Sequence, residues 1–217
     1  MDNHKHTWLR DEQSLVSAGL HAFGLLGAIV GTLALSGRAH STLTLISMLV
    51  YGTSMICLYA SSTIYHIFYV SKRTNSILRK IDHIMIFFLI AGTYTPMCLS
   101  ILGGTVGWIL LSAVWTLSIA GIFMAIFWIN APKWVSALCY VLLGWMVVFA
   151  AVPLSQVLPA GGMWWLIAGG LWYTVGAVIY AMKPKFMHFR YFGNHELFHV
   201  FVLLGSICHY IFIYRYA

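Results

Sequence analysis

The sequence predicts an all-α integral membrane protein of seven transmembrane helices, with the N-terminus cytoplasmic and the C-terminus extracytoplasmic. Three observations carry this expectation. First, 61% of the 217 residues are hydrophobic and only 8% are charged, with a mean hydropathy of +0.86. A soluble domain uses about 25% charged residues to cover its surface, whereas a bilayer removes that need. Second, seven apolar runs follow one another, each long enough for the roughly 20 residues that a spanning helix requires. Third, ten of the twelve lysines and arginines fall on one side of such a bundle. With the N-terminus inside, the inner segments hold Lys5, Arg10, Lys72, Arg73, Arg79, Lys80, Lys133, Lys183, Lys185 and Arg190, and only Arg38 and Arg215 lie outside. Cytoplasmic segments carry such an excess, so the chain is oriented by it.

Taken in order, residues 1–13 form a polar cytoplasmic tail, and residues 14–217 form a single transmembrane domain. The apolar runs cover 14–36, 42–70, 81–102, 105–129, 134–154, 160–182 and 195–214. They are expected to be helices because lipid cannot satisfy open backbone groups. The first run begins after Asp11 and Glu12, is too long for a signal-peptide core and has no small-x-small cleavage site, so no cleaved leader is expected. Gly27 and Gly31 form a G-x-x-x-G that predicts close helix approach, and Gly169 with Gly170 is expected to loosen the sixth helix. Pro96 is expected to kink the third helix, and Pro132, Pro153, Pro159 and Pro184 to mark loop edges. Cys57, Cys98, Cys139 and Cys208 all fall in apolar runs without C-x-x-C spacing, as small packing residues do. The net charge of +7 is spread over short gaps and not gathered into a patch, which excludes nucleic acid as a partner.

The acidic residues single out a site. Asp2, Asp11 and Glu12 lie in or beside the tail, leaving Asp82 and Glu196, each next to a histidine. Ionisable groups in spanning segments are expensive and point to function. His195 and His199 are four residues apart and share one helix face. By the orientation above, His66 closes the second helix, Asp82 opens the third, and the His195–His199 pair opens the seventh, all at the inner face. Alone, His66 is commonly an interhelical hydrogen-bonding residue, Asp82 a partner for Arg79 or Lys80, and an i, i+4 histidine pair a weak metal signal. Their convergence at one depth points to a metal.

Three histidines and a water make a catalytic-type zinc site, in which the water's pKa falls toward about 7. Asp82 is placed to orient that water or take its proton, and Ser62, one turn before His66, to hydrogen-bond the water or an oxyanion. Read literally, His195-Glu196-x-x-His199 is also the H-E-x-x-H of a metalloprotease, with Glu196 as base. His83 is expected about 100° around the helix from Asp82, and His209 about 15 Å beyond His199 as an interhelical hydrogen-bonding residue. His21 stays open between packing and function.

Ser61-Ser62-Thr63-Ile64-Tyr65-His66, Asp82-His83, Ala91-Gly92-Thr93-Tyr94-Thr95-Pro96 and the stretch from His195 to Gly205 together resemble the hemolysin III family. That family is the bacterial branch of the progestin and adipoQ receptor proteins, with alkaline ceramidases as more distant relatives. The resemblance covers nearly the whole chain. It implies seven helices, a cytosolic N-terminus, and a zinc ion near the cytoplasmic side held by His66, His195 and His199, with Asp82 and Ser62 beside its water. It also implies a lipid-amide hydrolase activity and a role in membrane-lipid homeostasis at the plasma membrane, while the family name reflects pore formation by some members. The family's first helix often opens with a glutamate, an asparagine and a histidine. Here Glu12 and His21 are present and Ser17 replaces the asparagine, so no role is carried over to that element.

The leading expectation is a zinc-dependent hydrolase of a lipid amide or ester bond. The alternatives are a non-catalytic lipid sensor or receptor-like protein with structural zinc, and a pore-forming hemolysin, for which the helices offer no sufficient polar stripe. Membrane lipids are the expected partners, with no soluble protein partner inferred and homo-oligomerisation left open.

Overall fold

The structure is a computed structural model that describes residues 15–68, 70–128, 131–184 and 193–217. The expected tail at 1–13, with Glu12, and the loop cations Lys185 and Arg190 lie outside the described residues. Seven helices are long and apolar enough to cross a membrane: α1 (Leu15–Ser36), α2 (Thr42–Ile67), α3 (Lys72–Leu102), α4 (Gly104–Phe127), α5 (Lys133–Val157), α6 (Ala160–Met182) and α7 (Asn194–Tyr216). Helix is the only regular structure among the described residues.

The exposed surface of the bundle is apolar, as a lipid-facing surface must be. On α1, Phe23, Leu26, Val30 and Leu33 all project outward, while Ala18, His21, Gly24, Ala28, Gly31 and Leu35 are buried. The inward set recurs every three to four residues, the spacing of one helix face. Several hydroxyls in the spans fold back on their own helices, as with Thr32 Oγ1 donating to Ala28 O at 2.6 Å and Ser36 Oγ to Thr32 O at 2.8 Å. Each satisfies itself where lipid offers no partner.

The start of α3 follows a cap, and hydropathy does not find it. α3 begins at Lys72, well before the expected 81, because the Ser71 side chain caps it by accepting the Thr74 N–H at 3.1 Å. Its first turns are polar and stand outside the apolar run. Lys80, on those turns, donates its Nζ to Ile126 O at the end of α4, 3.0 Å away, so a lysine read as an interfacial anchor also caps a neighbouring helix. The second run ends at Ile67 and not at 70, with Phe68 already extended.

Two helices carry irregular turns. Beyond Pro96, α3 passes into a wide π-turn over Met97–Leu102, closed by the Gly103 N–H on Cys98 O at 2.9 Å. Gly103 and Gly104 follow with φ of 62° and 56°, a left-handed backbone that glycine adopts without strain. In α5 the α-helix gives way to 3₁₀ turns over Trp145–Ala150. Tyr94 of α3 serves the backbone groups freed there: its hydroxyl donates to Gly144 O at 2.6 Å and accepts the Val147 N–H at 2.8 Å. Pro153, expected at a loop edge, instead sits in the first turn of the resumed helix Ala151–Val157, where a missing N–H costs nothing.

The glycine expectations also change. Gly27 faces open space, and the glycine that packs with Gly31 is Gly24, seven residues before it. A Cβ at Gly24 would strike Leu203 and Tyr59, and one at Gly31 would strike Tyr210. α1 therefore lies close on α2 and α7. α6 runs unbroken through Gly169 and Gly170, and Gly169 makes room for the His209 ring.

Neighbours in space follow the chain. α1 packs on α2, α2 on α3, α3 on α4, α5 on α6, α6 on α7, and α7 returns to α1. α2 and α7 are not in extended backbone contact, and a cavity of about 130 Å³ lies between them, bordered by α1, α2, α3, α5, α6 and α7. α4 packs outside this ring.

Candidate metal centre

α7 opens at Asn194, so His195 and His199 occupy its first two turns on one face. The helix start is secured by Glu196, whose Oε2 accepts the Gly193 N–H at 2.8 Å. That contact gives Glu196 the task of a cap: the side chain turns back along the chain to the free donor at the helix end.

His66, one residue from the end of α2, meets this pair. Its Nε2 lies 3.2 Å from His195 Nε2. The ring centroids of His66, His195 and His199 are 4.6 to 4.9 Å apart in every pairing. One ligand atom from each lies within 4.8 Å of the others, with His66 and His199 buried and His195 partly so. Zinc–nitrogen bonds of 2.0–2.1 Å in a tetrahedron place nitrogens about 3.4 Å apart, close to the His66–His195 spacing. An all-imidazole set at this separation fits a borderline metal such as zinc, copper or nickel. Near His66 the Ser62 Oγ is buried without a hydrogen-bond partner, as a group that awaits a ligand or water would be.

Asp82 borders the same cavity but is not one of the three close ligands. His83 borders it too. The expected 100° between them separates two walls of one space and does not turn His83 away. His209 also reaches the cavity, with its Nε2 donating to Leu166 O at 3.2 Å, the expected interhelical bond. His21 stacks on His199, ring centroids 3.8 Å apart at 19°. Aromatic neighbours were not foreseen. Tyr180 and Phe198 stand beside His195 and Tyr65 beside His66, and only the aromatic content of these helices hinted at them.

Sequence comparisons agree with this architecture. The family model described as Haemolysin-III related matches residues 12–210. Hemolysin-3 of Bacillus cereus is 36% identical over 198 residues, covering 90% of this chain and 87% of that protein. A Hemolysin-3 homolog of Bacillus subtilis is 35% identical over 198 residues, covering 90% of each. More distantly, the human Monocyte to macrophage differentiation factor is 26% identical over 207 residues, covering 90% of this chain and 81% of that protein. With its seven apolar spans, the chain is a multi-pass protein of the plasma (bacterial inner) membrane, and it belongs to the hemolysin III family.

Proposed function

We propose that this protein is a zinc-dependent membrane hydrolase that cleaves an amide or ester bond of a lipid and serves membrane-lipid homeostasis. The observation that carries the reading is the meeting of His66, His195 and His199 from two helices beside unpartnered polar groups in an otherwise apolar cavity.

His66, His195 and His199 would hold the ion. Zinc bound there supplies Lewis acidity to a carbonyl and to the attacking water. Asp82, on the cavity wall, takes the proton of that water on a carboxylate oxygen and returns it to the leaving group. The Ser62 hydroxyl donates a hydrogen bond to the carbonyl oxygen as charge develops on it. Leu58, Ile86, Ile90 and Val202 border the cavity and match an acyl chain. The border runs along α7 from His195 to His209, about 21 Å of helix rise. Basic residues at the His195 end of the bundle support a cytoplasmic site reached from the inner leaflet.

The test is metal analysis of the purified protein, followed by lipid product analysis after incubation with extracted membrane lipids. One zinc per chain and release of a fatty acid that a chelator abolishes is the expected result. A stable metal load with no product from any lipid class would leave the alternative, in which zinc clamps α2 to α7 in a lipid sensor. The lack of extended α2–α7 backbone contact is the observation that favours that second reading.

A further inference from the structure

Lys133 is the first residue of α5, and its placement is not that of a plain interfacial anchor. Ala137, Tyr140 and Gly144 follow it at helical spacing on one face, and all three border the cavity. Lys133 thus heads the stripe of α5 that faces the cavity. An anchoring lysine extends its stem toward the headgroups and the water beyond them. Here the ammonium reaches to α6, where its Nζ lies 5.0 Å from the ring centroid of Tyr180. Tyr180 borders the cavity, and its ring centroid is 6.3 Å from that of His195. One aromatic ring therefore stands between a fixed cation and the candidate ligands.

An acyl chain by itself has no use for a cation at the end of its channel. The face of Tyr180 attracts the ammonium through its quadrupole and fixes its position without neutralising the charge. Lys183, which caps α6 three residues beyond Tyr180, adds a second positive charge at this end of the bundle. The cavity is therefore apolar along its length and positive at its inner rim.

We infer that Lys133, held by the Tyr180 ring, binds a phosphate group on the lipid that enters the cavity. The lipid is then an acylated glycerol phosphate, with its chain along α7 and its ester carbonyl at the histidines. The placing of the ester rests on the hydrolase reading, whereas the phosphate subsite stands in the sensor reading as well. A glycerol backbone separates ester from phosphate in such a lipid, as the Tyr180 ring separates His195 from Lys133. A fatty acid has a single polar head and meets either the histidines or Lys133, not both. The ammonium donates up to three hydrogen bonds, and phosphate oxygens accept them with the added strength of opposite charge.

The experiment uses the full chain as purified in a neutral detergent, with bound lipid measured by native mass spectrometry. The probes are the hexadecyl ether of glycerol phosphate and the uncharged hexadecyl ether of glycerol, which share a chain and resist hydrolysis. Wild-type protein is expected to bind the phosphate lipid about tenfold more tightly than the neutral one. Lys133→Met is expected to bring the two affinities together, and Lys133→Arg to keep the preference. Lys72→Met, which removes an exposed cation of α3, is expected to leave it unchanged. An unaltered affinity for the neutral ether shows that the cavity is intact in each variant. Equal affinities in the wild type overturn the proposal, as does a preference that survives Lys133→Met. A preference lost equally in Lys72→Met would belong to the overall charge of the inner face and overturns it too. Displacement of the phosphate lipid by equimolar inorganic phosphate would mark a site for free phosphate and overturn the lipid assignment. Failure of the hydrolase reading shows elsewhere, as an acyl glycerol phosphate left uncleaved while the phosphate preference and its loss in Lys133→Met remain.

Discussion

Two polar clusters are buried in this bundle, and they differ in how their atoms are satisfied. Midway along the helices, Tyr59 donates to Ser206 Oγ at 2.6 Å, and Tyr173 shares the same oxygen at 2.8 Å. One hydroxyl there ties α2, α6 and α7 together, and Tyr94 does the same between α3 and α5. At the end of the bundle where His66 and His195 meet, His21 and Ser62 keep buried polar atoms without partners. In a medium that supplies no hydrogen bonds, a closed network is a structural tie. An open atom is not by itself a ligand site, since the Tyr51 hydroxyl beside the Tyr59–Tyr173 cluster is also buried without a partner. It is the gathering of His66, His195 and His199 that marks the other cluster. Burial alone does not separate the two, because both clusters are buried.

The contrast can be broken or sharpened by substitution. The largest effect is expected from His199→Ala, which should reduce bound zinc from about one ion per chain to near none, as read by elemental analysis. Affinity should fall by more than the roughly 10–100-fold typical of losing an outer partner. A variant that keeps its zinc would dissolve the distinction at the metal end. Asp82→Asn should leave the zinc load intact and lower lipid cleavage by about 10²–10⁴-fold, the usual worth of a positioned acid–base group. Retained cleavage with normal zinc would remove Asp82 from the chemistry.

The middle cluster should respond in stability alone. Ser206→Ala leaves two tyrosine hydroxyls without their shared partner, and a loss of about 1–3 kcal/mol is expected in detergent unfolding, with the zinc load unchanged. A drop in zinc load would show that the two clusters act together. Tyr94→Phe should cost a similar or smaller amount, about 1–3 kcal/mol, by freeing Gly144 O and the Val147 N–H. The smallest effect is expected from Glu196→Gln. An amide oxygen can still accept the Gly193 N–H, so a change of about 0.5 kcal/mol is expected, with zinc and cleavage unaffected. Abolished cleavage would restore the protease-type role of that carboxylate.

The relation between sequence and structure differs from element to element. The seven spans were legible because a bilayer leaves a long apolar run little freedom: it must close its backbone hydrogen bonds within itself. The start of α3 was not legible from hydropathy, since Ser71 caps a turn that is too polar to count as apolar. Nor were the 3₁₀ turns of α5, because the groups they free are met by Tyr94, some fifty residues earlier in the chain. The meeting of His66 with His195 and His199 was legible, since residues far apart in the chain were placed at one depth by counting charges between spans. The spacing at Glu196 was ambiguous, because the same pattern serves a helix cap and a metalloprotease, and the structure adds the cap contact with Gly193.

The sequence by itself determined the class of protein, the number of spans and the family, since these depend on composition, on segment length and on motifs that sit in the chain in order. The tertiary structure alone decided which polar groups close on each other and which stay open. It brought His21 against His199, set Asp82 on the cavity wall outside the ligand group, and turned Glu196 away from the cluster. The physical reason is that hydrogen-bond satisfaction belongs to neighbours in space. In lipid, where no solvent fills the gaps, that accounting identifies the structural ties, and the spacing of the three histidines identifies the candidate site.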